Sequence, residues 1–347
     1  MPVRPPRRTP IAVFRKFVRT PKGYMLGALL LLLTVALPNQ GVLALEVTVV
    51  SVLASCLAEL LLCRALFVPT SALLTGLFVA MVMDPHDPLA AIAATSALAI
   101  GAKHLVRTSR AHIFNPAALA LAIAPYLFGL GESWWGAAAG LPVVALLPLL
   151  AAGYVVVDRT NKAPSVLAFL GVYFALFTIA TVALPGENTH LAQFYRDPFV
   201  GAALFFAFFM LTDPPTSPVR LREQLIFGAG VAVLAVTIEL SRDMLAYLFL
   251  GLLIGNAWWA WRRVAAMQKA PAAPRARLTS APSPRRSAKG TRPLVPRPAP
   301  GSQVGTVGHA RPPRRKPPLR IGPANTDHVP SAAAGGPGAN RTRRTST

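Results

Sequence analysis

The hydrophobic positions of this chain fall into long blocks, not into scattered stripes. Ten apolar segments can be marked, roughly 24–38, 41–63, 69–83, 89–106, 114–129, 134–157, 166–185, 199–212, 224–240 and 243–261. A helix crosses about 30 Å of hydrocarbon with about 20 residues, so blocks of this kind predict an all-α polytopic membrane protein of about ten transmembrane helices. Segments three and eight are short. At about 1.5 Å per residue each spans only about 21–23 Å.

Charge decides whether the short segments cross. With the basic N-terminus placed in the cytoplasm, as the positive-inside tendency suggests, ten crossings put Arg64, Lys103, Arg107, Arg110, Arg159, Lys162, Arg220 and Arg222 in cytoplasmic loops. Only Arg196 and Arg242 fall in outer loops. Treating the short segments as re-entrant hairpins places six outside and four inside, against that tendency. Ten crossings also leave both termini cytoplasmic.

The short segments resemble one another. "SALLTGLFVAMVMDPHDP" (71–88) and "GAALFFAFFMLTDPPTSP" (201–218) are both apolar runs that end in Met and Asp-Pro. Each is the third of five segments, and because five is odd the two groups must be inverted in the membrane. Short, proline-interrupted segments at matching places in inverted halves point to a midplane site between them. The alternative is coincidence, since proline commonly stops helices. The expected organisation is a basic N-terminus (1–23), a membrane domain (24–262) with repeat halves about 24–129 and 134–261, and a basic tail (263–347).

Composition sharpens this picture. Of 347 residues 53% are hydrophobic and 14% charged, where a soluble chain carries about a quarter charged. The net charge of +22 belongs to the ends: residues 1–23 hold seven Lys/Arg and no acid, and residues 262–347 hold eighteen with Asp327 as the single acid. The stretch from Ala270 to Thr347 is rich in Pro, Arg, Ala, Gly and Ser and is expected to be disordered. Its "RPPRRKPPLR" (311–320) suits anionic lipid headgroups, and no specific nucleic-acid contact is expected. No cleavable signal peptide stands out. Cys56 and Cys63 lie seven residues apart on roughly one helix face, about 10 Å from each other, which is too far for a disulfide. Two cysteines are also too few for an iron–sulfur cluster.

Candidate chemistry is sparse: there is no Gly-rich phosphate loop, no GxSxG and no metal-spaced His/Cys cluster in the sequence pattern. Acids within apolar blocks are Glu46, Glu59 and Glu239. Glu59 lies deepest in its segment and is the ion or proton candidate, set against a plain hydrogen bond to a neighbouring helix. His104 and His112 share a basic loop with Lys103, Arg107 and Arg110. Asn115 and Pro116 read as N-cap and first helical position of segment five, and a helix N-terminus beside basic residues also favours an anion.

"SALLTGLFVAMVMDP" (71–85), "GAKHL" (101–105), "FNPAALAL" (114–121), "FFAFFMLTDPPTSP" (205–218) and "LAELLLCRALF" (57–67) resemble the RnfD and NqrB family. Its members are membrane subunits of the Rnf electron transport complex and of the sodium-translocating NADH:quinone oxidoreductase. With the segment order, the resemblance extends over roughly residues 20–262. It implies two inverted five-helix repeats similar to the urea-channel fold and a place in the inner membrane of a bacterium. It also implies partner subunits that carry flavin or iron–sulfur centres, ion-linked electron transport, and FMN. Family members link FMN to a Thr of a Ser-Gly-Ala-Thr motif after the "FNPA" helix. Here that loop reads "GLGESWWG" (129–136), the motif occurs nowhere, and Ser133 is the only hydroxyl in the loop. The usual Gly-Glu-x-Ser is absent too, and "RTSR" replaces a Gly-rich turn. Covalent FMN is therefore not expected. A non-covalent FMN or riboflavin is, with Phe114, Asn115, Pro116, Thr212, Asp213, Pro214, Thr216 and Ser217 as its cofactor-binding set. The alternatives are a small-solute transporter or channel on the same fold, or a cofactor-less assembly scaffold.

Overall fold

The computed structural model describes residues 16–63, 70–108, 111–183, 192–242 and 246–269. The expected disordered tail from Ala270, the first fifteen residues, Arg64 and Arg110 lie outside them. The described residues form nine α-helices and no strand: α1 (Pro21–Cys63), α2 (Thr70–Val82), α3 (Leu89–Leu105), α4 (Pro116–Phe128), α5 (Leu146–Thr160), α6 (Ala163–Ala183), α7 (Phe199–Phe205), α8 (Leu221–Arg242) and α9 (Tyr247–Lys269). Among the described residues four helical spans, Pro21–Cys63, Val143–Thr160, Ala163–Ala183 and Leu221–Ser241, are long and apolar enough to cross a membrane. The chain is a multi-pass membrane protein.

Predicted segments one and two run together as α1, which Gly41 breaks at φ 73° and ψ −157°. That backbone conformation is essentially reserved for glycine, so the break is fixed by the residue type. Segment six is a correction. It was expected from residue 134, but the chain there is irregular, with short 3₁₀ turns at Trp135–Ala137 and Val143–Ala145 before α5 begins. Trp134 and Ala138 adopt positive φ in this stretch, and Trp135 donates its indole N–H to the Ala80 carbonyl at 2.7 Å. Apolar content alone cannot separate a buried loop from a helix.

Burial is arranged as in a body immersed in lipid. Leu53, Leu57 and Leu61 of α1 are exposed, with Leu61 at 69%. The short elements occupy the centre: ten of the thirteen residues of α2 are buried, and so are all five of Phe206–Met210 following α7. The two meet through Phe78 and Phe205, whose rings lie edge to face 6.1 Å apart. Close approach of α1 and α2 needs a missing side chain at Gly76, where a Cβ would stand 2.8 Å from Val52 Cα. There Ser51 donates its hydroxyl to the Gly76 carbonyl at 2.8 Å and shares a 2.7 Å hydrogen bond with Ser96. Small residues at such contacts let membrane helices pack backbone to backbone.

α4 separates the two Asp-Pro loops. At its C-terminal end the Asp84 N–H donates to the Gly131 carbonyl at 3.2 Å, and the Gly131 N–H donates to Asp87 Oδ2 at 3.0 Å. At its N-terminal end lies Asp213, 3.5 Å from His112 Nε2. A thirteen-residue helix is about 20 Å long, so the loops sit at opposite ends of the bundle.

Candidate functional site

The second short helix ends in a single widened turn. After α7 the residues Phe206–Met210 form a π-turn, closed by the Leu211 N–H donating to the Phe206 carbonyl at 3.0 Å. Such turns are rare and recur at functional sites. The extra residue per turn presents the Met210 carbonyl sideways, where Asn115 Nδ2 donates to it at 3.3 Å.

Asn115 is the N-cap that the sequence predicts, with Pro116 as the first helical residue: its Oδ1 accepts from the Ala118 N–H at 3.2 Å. Its own N–H donates to Asn256 Oδ1 at 3.0 Å, and Asn256 Nδ2 donates onward to the Thr216 carbonyl at 3.1 Å. Asn256 is fully buried on α9. Arg263, about two turns further along the same helix, donates to the Pro215 carbonyl at 2.8 Å. Lys162, in the turn between α5 and α6, donates to the Ser217 carbonyl at 3.4 Å and also to that of Pro218. The loop 212–218 is thus held by three side chains from two places in the chain, α9 and the turn between α5 and α6. Their donors satisfy carbonyls that the prolines leave without local partners.

These contacts border a cavity of about 540 Å³. Phe17, Phe78, Phe209 and Met25 supply apolar walls, and Thr20, Ser71, His112, Asn115 and Asp213 supply polar edges. Of the predicted cofactor set, Asn115, Pro116, Asp213 and Pro214 line it. Phe114 stands beside it in sequence and is not a lining residue. Thr212, Thr216 and Ser217 are used by the loop itself: Thr212 donates to the Phe208 carbonyl at 2.7 Å, Thr216 to Asp213 Oδ2 at 2.9 Å, and Ser217 to the Asp213 carbonyl at 2.7 Å. The Thr216 contact aims the Asp213 carboxylate. Lys22, Asn256, Lys162 and Arg263 were not in the predicted set. A polar residue such as Asn256 inside an apolar run was the one signal available for it.

Lys162 is 3% exposed. Burial pushes its ammonium down to about 8, against a smaller opposing pull from Asp213. An ordinary lysine titrates near 10.5. Between the two values the unfolded chain binds the proton that the folded chain has released, so stability rises with pH across that window; below about 8 the penalty is fully present. Lys162→Met is expected to flatten the rise of the thermal midpoint between pH 8 and 10.5. Thermal unfolding in detergent across that range checks it, and an unchanged slope counts against the assignment.

Two basic residues stand close to the cavity end of the bundle. Arg159 lies over the Tyr24 ring at 4.9 Å, and Lys22 borders the cavity with Asn115 and Asp213. Glu59 lies outside the cavity. It is paired with Lys103 at 2.6 Å and His104 at 3.0 Å, both near the end of α3. Glu46 is exposed, and Glu239 is buried at 8%.

Residues 129–261 match the model of the NQR2, RnfD, RnfE family. Over that stretch, well under half of its length, the chain is similar to this family. The NQR2, RnfD, RnfE stretch contains Asp213, the π-turn, Lys162 and Asn256; Asn115 and the α2 wall of the cavity lie outside it. No curated protein matches the chain.

Proposed function

We propose that this protein is a membrane subunit of an ion-translocating electron-transport complex, and that its cavity takes a non-covalently held flavin. The match of residues 129–261 to the NQR2, RnfD, RnfE family supports the first part. One observation supports the second: Asn115 of "FNPA" and Asp213 of "TDPP", far apart in sequence, border one cavity. Its volume of about 540 Å³ falls in the range of small-molecule sites, about 300–1,000 Å³. The aromatic walls suit the flat faces of an isoalloxazine, and the polar edge offers donors and acceptors to its ring nitrogens and carbonyls. A bound flavin would supply one- and two-electron transfer. The chain's own residues then have separable tasks. Phe78 and Phe209 exclude water from the ring. His112 and Asp213, 3.5 Å apart, hold or release a proton at the cavity edge. Asn115 fixes the helix N-terminus that faces it. The two short helices, meeting at Phe78 and Phe205, fit the inverted-repeat arrangement, and partner proteins of the complex deliver and remove electrons.

The absorbance spectrum of the purified full chain tests this. A flavin spectrum is expected, with flavin released on denaturation and absent from the band on a denaturing gel. Asp213→Asn is expected to weaken flavin retention about tenfold or more, the scale of a charge-assisted hydrogen bond of about 1.5–3 kcal/mol. A colourless protein that moves a small solute into proteoliposomes overturns the proposal in favour of a transporter.

A further inference from the structure

A second cluster lies on the α1 and α3 helices, away from the cavity. Glu59 and Cys63 are four residues apart on α1 and so share a face. His104 reaches them from the last turn of α3. His104 Nε2 is 3.0 Å from Glu59 Oε2 and 3.8 Å from Cys63 Sγ, and Cys63 Sγ is 3.9 Å from Glu59 Oε1. One potential ligand atom from each residue lies within 4.8 Å of the others.

We propose that Glu59, Cys63 and His104 form a binding site for one divalent transition-metal ion of the zinc class. Bonds of about 2.0–2.3 Å in tetrahedral geometry set the ligand atoms about 3.3–3.6 Å apart. His104 Nε2 lies 3.0 Å from Glu59 Oε2 and 3.8 Å from Cys63 Sγ, on either side of that value, and one ligand atom of each residue lies within 4.8 Å of the others, so shifts of up to about 1 Å admit the ion. The metal replaces the protons that now bridge the three groups. A mixed sulfur, nitrogen and oxygen donor set favours zinc or cobalt over magnesium or calcium, which take oxygen ligands. Cys63 is exposed, which leaves the fourth position open to water. Lys103 Nζ, 2.6 Å from Glu59 Oε1, occupies one carboxylate oxygen and leaves Oε2 for the metal. It thereby orients the ligand from outside, as outer partners of metal ligands commonly do. The proposal is independent of what fills the cavity.

The test uses the tag-free full chain in detergent, stripped with a chelator and titrated with Co²⁺ and then Zn²⁺. Binding of one ion per chain is expected. Cobalt should give a thiolate-to-metal charge-transfer band and intense tetrahedral ligand-field bands, which zinc abolishes by displacement. Cys63→Ser keeps the side-chain size and the Glu59–Lys103 pair; it should lose the charge-transfer band and bind at least about tenfold more weakly. His104→Gln should weaken binding similarly, while Lys103→Met should retain the band. Affinity should fall as pH is lowered, because the thiol and imidazole must give up protons. Absence of the charge-transfer band, or equal binding by wild type and Cys63→Ser, overturns the proposal and leaves the cluster as an ion pair between helices.

Discussion

Asn256→Leu is expected to lower the stability of the folded protein by about 2–6 kcal/mol, counting two buried polar groups left without partners at about 1–3 kcal/mol each. Asn256 is completely buried, accepts from the Asn115 N–H at 3.0 Å and donates to the Thr216 carbonyl at 3.1 Å. Leucine has the same number and branching of side-chain heavy atoms and is bulkier, so water has no room to replace either bond. The loss acts on the site as well as on the fold, because the same side chain ties the start of α4 to the loop that carries Asp213. Thermal unfolding in detergent, followed by tryptophan fluorescence, should show a much lower midpoint, and under the flavin proposal flavin retention should fall in parallel. A midpoint equal to that of wild type would mean that the bridge does not form in the membrane.

Gly228→Ala is expected to be comparably damaging, for a reason of shape. A Cβ at this position of α8 would stand 2.1 Å from the Ser165 carbonyl oxygen and 2.9 Å from its carbon. The obstacle is backbone of α6, not the end of a flexible side chain, so the two helices must move apart by about 1 Å to reach ordinary contact. Overpacking of this kind costs about 1–3 kcal/mol and sometimes more, and the separation also loosens the contacts along the rest of the pair. Gly230, two residues on, has nothing within 4 Å of an added Cβ. Gly230→Ala should therefore be neutral or stabilise by about 0.5–1 kcal/mol, through helix propensity. Opposite signs from one methyl group on the same helix, read as midpoint shifts and as recovery of monodisperse protein, establish the contact. Equal and small effects would refute it.

Other assignments were visible at intermediate range. Asn115 and Pro116 announce a helix start because an N-cap is completed within three residues, and the structure shows that bond to Ala118. Glu59 announces itself as a charge inside an apolar block, but its partners Lys103 and His104 are more than forty residues away. The polar residues of "TDPPTSP" were legible as a group and not by direction. Asp213 faces the cavity, while Thr212, Thr216 and Ser217 turn into the loop, because proline-rich backbone claims hydroxyl donors and acceptors close by.

The sequence by itself determined that this is an all-α membrane protein with basic ends and two unusually short helices; it separated segments one and two near residues 38–41, and the structure turned that boundary into a break at Gly41 within one helix. Block hydrophobicity, charge and glycine-specific torsions act within one helix or one loop, and lipid enforces them without regard to neighbours. Only the tertiary structure decided which carbonyls Asn256, Lys162 and Arg263 satisfy, where Phe206–Met210 widens into a π-turn, and why residues 134–142 form irregular chain in place of a helix. It also decided that Glu59, Cys63 and His104 converge. Each of those outcomes depends on which helices come within a few ångströms of each other, and packing of that kind is set by the whole bundle.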